Sequence, residues 1–339
     1  MFTRHLEFVA AMNIGINGMG RIGRSFFRVL HQQKQLHMLR AINDVMPKAH
    51  LAYLINYDTV RGTLPSKVHL TDKGIEVDGH EIMVHQCSQP QDIPWHASEV
   101  HVVVEATGVF TKRSDLNKHI EAGATYCLLT TSGEADLPLF ISGVNDQAYA
   151  GQKVFSIGSC TVNGTAPLLN SLQQYDPKSV MINVIHAYSS RQNILDAYHG
   201  ELRRSRAAAD NIIPLNINLN VSLERLFPKL QHKIDSMTSR VPIPCGVLTD
   251  LTMVLASPPK DKIQLLDSLR NAGRKEVMEV TEEPLVSSDI INNTHSLVID
   301  SEFVQVIDNQ IKIMVWFDNE WGFSNRLHDW VCVKLPAGG

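Results

Sequence analysis

Asn13-Ile-Gly-Ile-Asn-Gly-Met-Gly-Arg-Ile-Gly-Arg24 is the stretch on which the fold turns. It reads as a strand running into a glycine-rich turn, and a helical run, Ser25-Phe-Phe-Arg-Val-Leu30, follows at once. The spacing G-x-G-x-x-G falls on Gly18, Gly20 and Gly23. In such a turn the first glycine permits the sharp reversal and the second lets backbone approach a pyrophosphate. The third lets the helix pack close to the strand. Amides at the helix start then face the phosphates.

Further strands frame that turn. His37-Met-Leu-Arg-Ala-Ile-Asn43 reads as a second strand ending at Asp44. An acidic residue there accepts hydrogen bonds from ribose hydroxyls and repels a 2′-phosphate, so NAD is expected rather than NADP. His101-Val-Val-Val-Glu-Ala-Thr-Gly108 is an apolar strand of the parallel type, followed by a helix through Leu116 to Ala122 and a strand over Ala124–Thr131. This βαβαβ alternation predicts a doubly wound, Rossmann-type α/β domain.

The chain of 339 residues is long enough for two domains with separate cores. Its 44% hydrophobic and 19% charged residues describe an ordinary globular protein. A net charge of −4 speaks against a nucleic-acid surface. No apolar run approaches the ~20 residues that a membrane-spanning helix needs. The five cysteines, at 87, 127, 160, 245 and 332, show no metal-ligand spacing, so no metal is expected. They read as reduced thiols of a cytoplasmic protein. Met1 to Ala11 carries an apolar patch too short for a signal-peptide core and reads as a tail without functional weight.

A second stretch carries the chemistry. Phe155-Ser-Ile-Gly-Ser-Cys-Thr-Val-Asn-Gly164 sets Cys160 where a turn gives way to a helix-like run. The positive end of a helix dipole there predicts a thiol that ionises readily, and the thiolate is the nucleophile. Beyond it, Val180–Ala187, Leu248–Leu255 and Ile311–Phe317 read as strands with one apolar face. They predict an α+β domain with a mostly antiparallel sheet. Gln192 to Asn220 reads as a long irregular segment, which in a compact protein is usually functional. The expected domains are 1–159 and 160–322, with a C-terminal helix over 323–339 returning to the first.

Taken together these stretches resemble the glyceraldehyde-3-phosphate dehydrogenase superfamily from Asn13 to Leu335. The resemblance rests on I-N-G-M-G-R-I-G-R at 16–24, Ala106-Thr-Gly-Val-Phe110, Ser159-Cys-Thr-x-Asn163, Asn211-Ile-Ile-Pro214, Arg240-Val-Pro242 and Trp316-Phe-Asp-Asn-Glu-Trp-Gly322. It implies that Cys160 attacks an aldehyde with His186 as base, leaving a thioester after hydride passes to NAD. It places Arg240, Arg206 and Ser189 at the substrate phosphate, and Ser159 and Thr161 at the attacking phosphate. Arg21 and Ile22 would meet the pyrophosphate through backbone, while Asn319 and Thr131 would lie near the nicotinamide. It also implies a homotetramer acting on a small phosphorylated aldehyde, with Arg203 and Arg204 at surface or subunit contacts.

At four sites the chain departs from the usual pattern. Gly164 stands for a second cysteine, Val162 for a threonine, and Cys87 for an arginine at the adenine end. Ile217 and Asn218 stand where a Thr-Gly pair helps to bind inorganic phosphate. Loss of that pair predicts a thioester released by water, which points to the erythrose-4-phosphate dehydrogenase branch. Phosphorylating oxidation of glyceraldehyde 3-phosphate is the alternative, and a non-catalytic redox sensor a further one.

Overall fold

The structure, a computed structural model, describes residues 12–335. The expected tail and the last four residues of the expected C-terminal helix lie outside that range. The chain divides into two compact units.

The first unit holds the described residues through Pro138, then Ala150–Ser156, then the chain from Ser324. In order come β1 (Ile14–Asn17), α1 (Arg21–Gln32), β2 (Leu39–Asn43), α2 (Lys48–Asn56), the hairpin β3 (Tyr57–Asp58) and β4 (Gly62–Thr63), β5 (His69–Leu70), β6 (Gly74–Val77), β7 (His80–His85), β8 (Val102–Glu105), α3 (Arg113–Glu121), β9 (Tyr126–Leu129) and β10 (Val154–Ser156). Eight strands form one sheet in the order β10-β9-β8-β1-β2-β7-β6-β5. It is parallel from β10 to β7, and β6 and β5 add an antiparallel edge. β1 is buried along its whole length and paired on both sides, as an uninterrupted apolar run requires. His37 and Met38, expected as the start of the second strand, instead lie in a 3₁₀ turn (Leu36–Met38) that buries Leu36 and Met38 before β2 begins. Toward the C-terminus, buried Trp330 packs its ring 5.2 Å from that of Phe155.

The three glycines of the turn each have a separate physical reason. Gly18 has φ +95°, and a Cβ on it would lie 2.7 Å from the Thr107 amide nitrogen. A Cβ on Gly23 would lie 2.1 Å from the Gly18 carbonyl oxygen, whereas Gly20 faces open space. Gly23→Ala must therefore push α1 off the turn, a strain of about 1–3 kcal/mol. The expected result, read by calorimetry, is NAD binding weakened about tenfold or more. An unchanged dissociation constant would refute this account of the turn.

The second unit comprises Leu139–Tyr149 and Ile157–Phe323. The expected boundary at 159/160 thus differs in detail, because Leu139 and Ile141 pack in the same core as Val162. Its elements are α4 (Cys160–Asn163), α5 (Ala166–Ser171), β11 (Pro177–Ala187), β12 (Ile213–Asn216), α6 (Leu219–Leu226), β13 (Ile234–Val241), β14 (Val247–Leu255), α7 (Lys262–Asn271), β15 (Met278–Thr281), β16 (Leu297–Ile307) and β17 (Gln310–Phe317). The sheet order is β12-β13-β11-β14-β17-β16-β15. Only the β11–β13 and β15–β16 pairs are parallel. β14 alternates strictly between buried and half-buried residues, so one face meets the core under α4 to α7. The segment expected to be irregular to Asn220 contains a 3₁₀ turn at Leu202–Ser205, then β12 and the start of α6. Pro214 disguises β12 in the sequence, and it is tolerated because β12 is an edge strand.

Candidate active site

The residues expected to bind cofactor, Asn319 apart, and those expected to react fall in different units, and each group has its own local architecture. In the first unit a cleft of about 390 Å³ opens at the carboxyl ends of β1 and β2. Gly18, Gly20, Asp44, Cys87 and Thr107 are among the residues lining it. The Asp44 carboxylate is held in place: Oδ2 accepts the Met19 amide at 2.6 Å and Oδ1 the Met46 amide at 3.0 Å. Gly20 precedes α1, so the amides of Arg21 and Ile22 begin that helix, while the Arg21 guanidinium pairs with Asp58. An open glycine, a helix start and a fixed carboxylate beyond β2 together fit a dinucleotide. The Cys87 thiol donates to the Asp92 carbonyl at 3.3 Å, and burial pushes its pKa up. Thr131 does not line this cleft; it is half-buried after β9, and its carbonyl accepts the Ser156 hydroxyl.

In the second unit Cys160 is the first residue of α4. Ser159 caps that turn, its hydroxyl accepting the Val162 amide at 3.2 Å. The buried Asn163 side chain donates to the carbonyls of Ile157 at 2.8 Å and Ser159 at 3.0 Å, which holds the loop ahead of the sulfur. Gly164 has a packing reason that its sequence neighbours do not show: a Cβ there would lie 2.6 Å from the Phe317 ring.

Sheet register assembles the rest. β11 and β13 run parallel with His186 opposite Arg240. His186 Nε2 stands 4.0 Å from Cys160 Sγ, and Thr161 Oγ1 stands 3.8 Å from the same sulfur. His186 Nδ1 stands 2.7 Å from the Ala187 carbonyl and 2.5 Å from Arg240 Nη1, which can only donate; a proton on Nδ1, given to the carbonyl, leaves the Nε2 lone pair toward the thiol. Arg240 donates to the same carbonyl at 3.0 Å. Burial, then the Arg240 charge, holds the imidazole down to about 3. Burial also lowers Arg240 to about 10, and it raises the Cys160 thiol against the opposing pull of Thr161 and Arg240.

Both shifts favour a thiol beside a neutral imidazole. They run against the ionised sulfur expected from the helix start. α4 is a single turn of four residues, so its dipole is small, and desolvation of the sulfur outweighs it.

The expected phosphate ligands divide. Ser189 lies just beyond β11, its amide donating to the Gln192 carboxamide at 3.0 Å. Arg206 points away, with a 61% exposed side chain paired to Asp196 at 3.1 Å. The guanidinium charges that Arg240 feels belong to Arg204, expected instead at a surface or subunit contact, and to Arg191. Arg204 is only 17% exposed and bonds Glu201 at 2.7 Å. The 3₁₀ turn at Leu202–Ser205 decides which arginine of this run turns inward. Ile217 packs against the core, and Asn218 only precedes α6. Asn319 accepts the Gly246 amide at 3.2 Å. Among the described residues, no group of three His, Cys, Asp or Glu side chains could hold a metal ion.

Comparison with known proteins agrees with both halves. The family model described as "Glyceraldehyde 3-phosphate dehydrogenase, NAD binding domain" matches residues 12–113. The model described as "Glyceraldehyde 3-phosphate dehydrogenase, C-terminal domain" matches residues 159–319. The chain is 39% identical over 326 residues to glyceraldehyde-3-phosphate dehydrogenase 2 of Streptomyces avermitilis, covering 94% of this chain and 97% of that one. It is 38% identical over 330 residues to glyceraldehyde-3-phosphate dehydrogenase of Mycobacterium leprae, with the same coverage. Its cofactor is NAD, and it is an oxidoreductase of that type. The chain belongs to the glyceraldehyde-3-phosphate dehydrogenase family.

Proposed function

We propose that the protein oxidises glyceraldehyde 3-phosphate with NAD through a thioester on Cys160. The observation that carries the chemistry is the 4.0 Å approach of His186 Nε2 to the Cys160 sulfur, with Arg240 in register beside the ring. The names of the relatives favour this aldehyde over the erythrose 4-phosphate that the sequence alone put first.

His186 Nε2 takes the thiol proton as sulfur attacks the carbonyl carbon, which gives a thiohemiacetal in its alkoxide form. The imidazolium so formed keeps its Nδ1–H on the Ala187 carbonyl. NAD, when bound, accepts the hydride that leaves that carbon. Arg240, with Arg204 and Arg191 nearby in charge, holds the substrate phosphate, and Ser189 adds a hydroxyl. Ser159 and Thr161 flank the sulfur where the second nucleophile must arrive.

A second reading retains one specific observation. Ile217 occupies core space, so that turn offers inorganic phosphate no hydroxyl. Release of the thioester by water, with erythrose 4-phosphate as the aldehyde, follows from it. Steady-state oxidation of each aldehyde, with and without added phosphate, separates the two. Phosphate-dependent turnover of glyceraldehyde 3-phosphate is expected. Turnover of erythrose 4-phosphate that ignores phosphate would reverse the order.

The proposal includes a cytoplasmic homotetramer. Supporting it, Leu195, Leu202 and Ile212 are 74%, 87% and 71% exposed on one segment, an apolar surface suited to a second copy. No described helix is long and apolar enough to cross a membrane. Sedimentation equilibrium at a monomer mass would remove the tetramer.

A further inference from the structure

Behind the lining of the cofactor cleft lies a polar network that the proposed chemistry does not use. Glu105 ends β8 and is 0% exposed, as are His119 on α3 and Trp95. Four donors converge on the Glu105 carboxylate. Asn17 Nδ2 reaches Oε2 at 2.6 Å and His119 Nε2 reaches the same oxygen at 3.1 Å. The Thr107 amide reaches Oε1 at 2.9 Å, and the Thr107 hydroxyl donates to that oxygen too.

The proton directions follow from the neighbours. Trp95 Nε1–H can only donate, and it does so to His119 Nδ1 at 2.9 Å, so His119 carries its proton on Nε2. The Thr107 hydroxyl oxygen accepts the Val109 amide at 3.1 Å, which turns its hydrogen toward Glu105.

The network then runs outward to the cleft. Asn17 Oδ1 accepts Asn43 Nδ2 at 2.8 Å, and the Asn43 carboxamide holds the Cys87 amide at 2.9 Å. The Asn43 backbone carbonyl accepts the Gly18 amide at 2.8 Å. Asn17, Gly18, Asn43, Cys87 and Thr107 all line the cleft. An apolar side chain could fill the space of Glu105 without taking a charge out of water. What the carboxylate adds is the fixed spacing of the turns on either side of the ligand.

We propose that Glu105 is the positioning residue of the cofactor cleft: its buried carboxylate ties the Gly18 turn, through Asn17 and Asn43, to the Thr107 turn, and so sets the shape that NAD enters. His119 and Trp95 hold the carboxylate from behind. The inference deepens the proposed function and rests on this cleft taking NAD. A carboxamide cannot replace the carboxylate, because its NH₂ would face two donors whichever way it turned.

The test is steady-state kinetics of Glu105→Gln with both substrates varied, beside thermal melting. The expected result is a KM for NAD raised about tenfold or more. KM for the aldehyde should stay near wild type, since its ligands lie in the other unit. Trp95→Phe, which touches neither ligand, should raise KM for NAD about threefold by freeing His119. A folded Glu105→Gln enzyme whose KM for NAD stays within about twofold of wild type would overturn the proposal, even with a lowered melting temperature. If Glu105→Gln does not fold, Trp95→Phe decides by the same reading. Wild-type protein with no NAD turnover would overturn the proposed function instead.

Discussion

Cys160→Ser is expected to lower aldehyde oxidation on the order of 10⁴-fold or more while leaving NAD affinity unchanged. Serine keeps the shape of the α4 turn, because Ser159 and Asn163 hold the loop through bonds that do not involve residue 160's side chain. It removes the polarisable sulfur and offers an alcohol too weakly acidic for a neutral imidazole to activate well. The cofactor cleft is built in the other unit, so calorimetry with NAD should read the same in both proteins. Oxidation within about tenfold of wild type would remove Cys160 as the nucleophile.

His186→Asn should cost about 10²- to 10⁴-fold in kcat, the usual worth of a positioned base. The pH dependence is the sharper test. With the imidazole held down to about 3, no titration of His186 falls between pH 5 and 8 in the free protein. Burial raises the thiol above its ordinary 9.0, so alkylation of Cys160 by iodoacetamide should keep accelerating through pH 8 without a plateau. A plateau at neutral pH in the wild type, lost in His186→Asn, would establish an ion pair and contradict this electrostatic account.

Stability carries the same signature. The folded pKa lies below the unfolded 6.5, so between those values the unfolded chain binds a proton that the native state lacks. Native stability therefore falls as pH drops from 6.5 toward about 3, and His186→Asn should flatten that slope.

Local signals were legible because one short stretch contained everything they needed. The Gly18–Gly23 turn has its strand before it and its helix after it, and Gly23 packs on the Gly18 carbonyl of the same βα unit. Strict alternation in Val247–Leu255 and Gln310–Phe317 declared a sheet with one buried face. Cys160 and His186 were readable from the motifs around them, and the structure brings their side chains to 4.0 Å.

Other features had no local signal. Arg204 and Arg206 are two residues apart, and only a 3₁₀ turn decides that the first is sheltered and the second paired with Asp196 at the surface. β12 was hidden by Pro214, whose place at a sheet edge is a property of the whole sheet. The Glu105 network joins residues as far as 88 positions apart, so nothing near Glu105 in sequence marks it.

By itself, then, the sequence determined the two architectures and the cofactor, and it marked Cys160 and His186 as the candidate pair, since each depends on neighbours along the chain. Only the tertiary structure shows the desolvation of the sulfur, the shelter of Arg204 and the carboxylate behind the cleft. Those depend on which atoms exclude water and which distant donors converge, and desolvation and convergence exist only once the chain has folded.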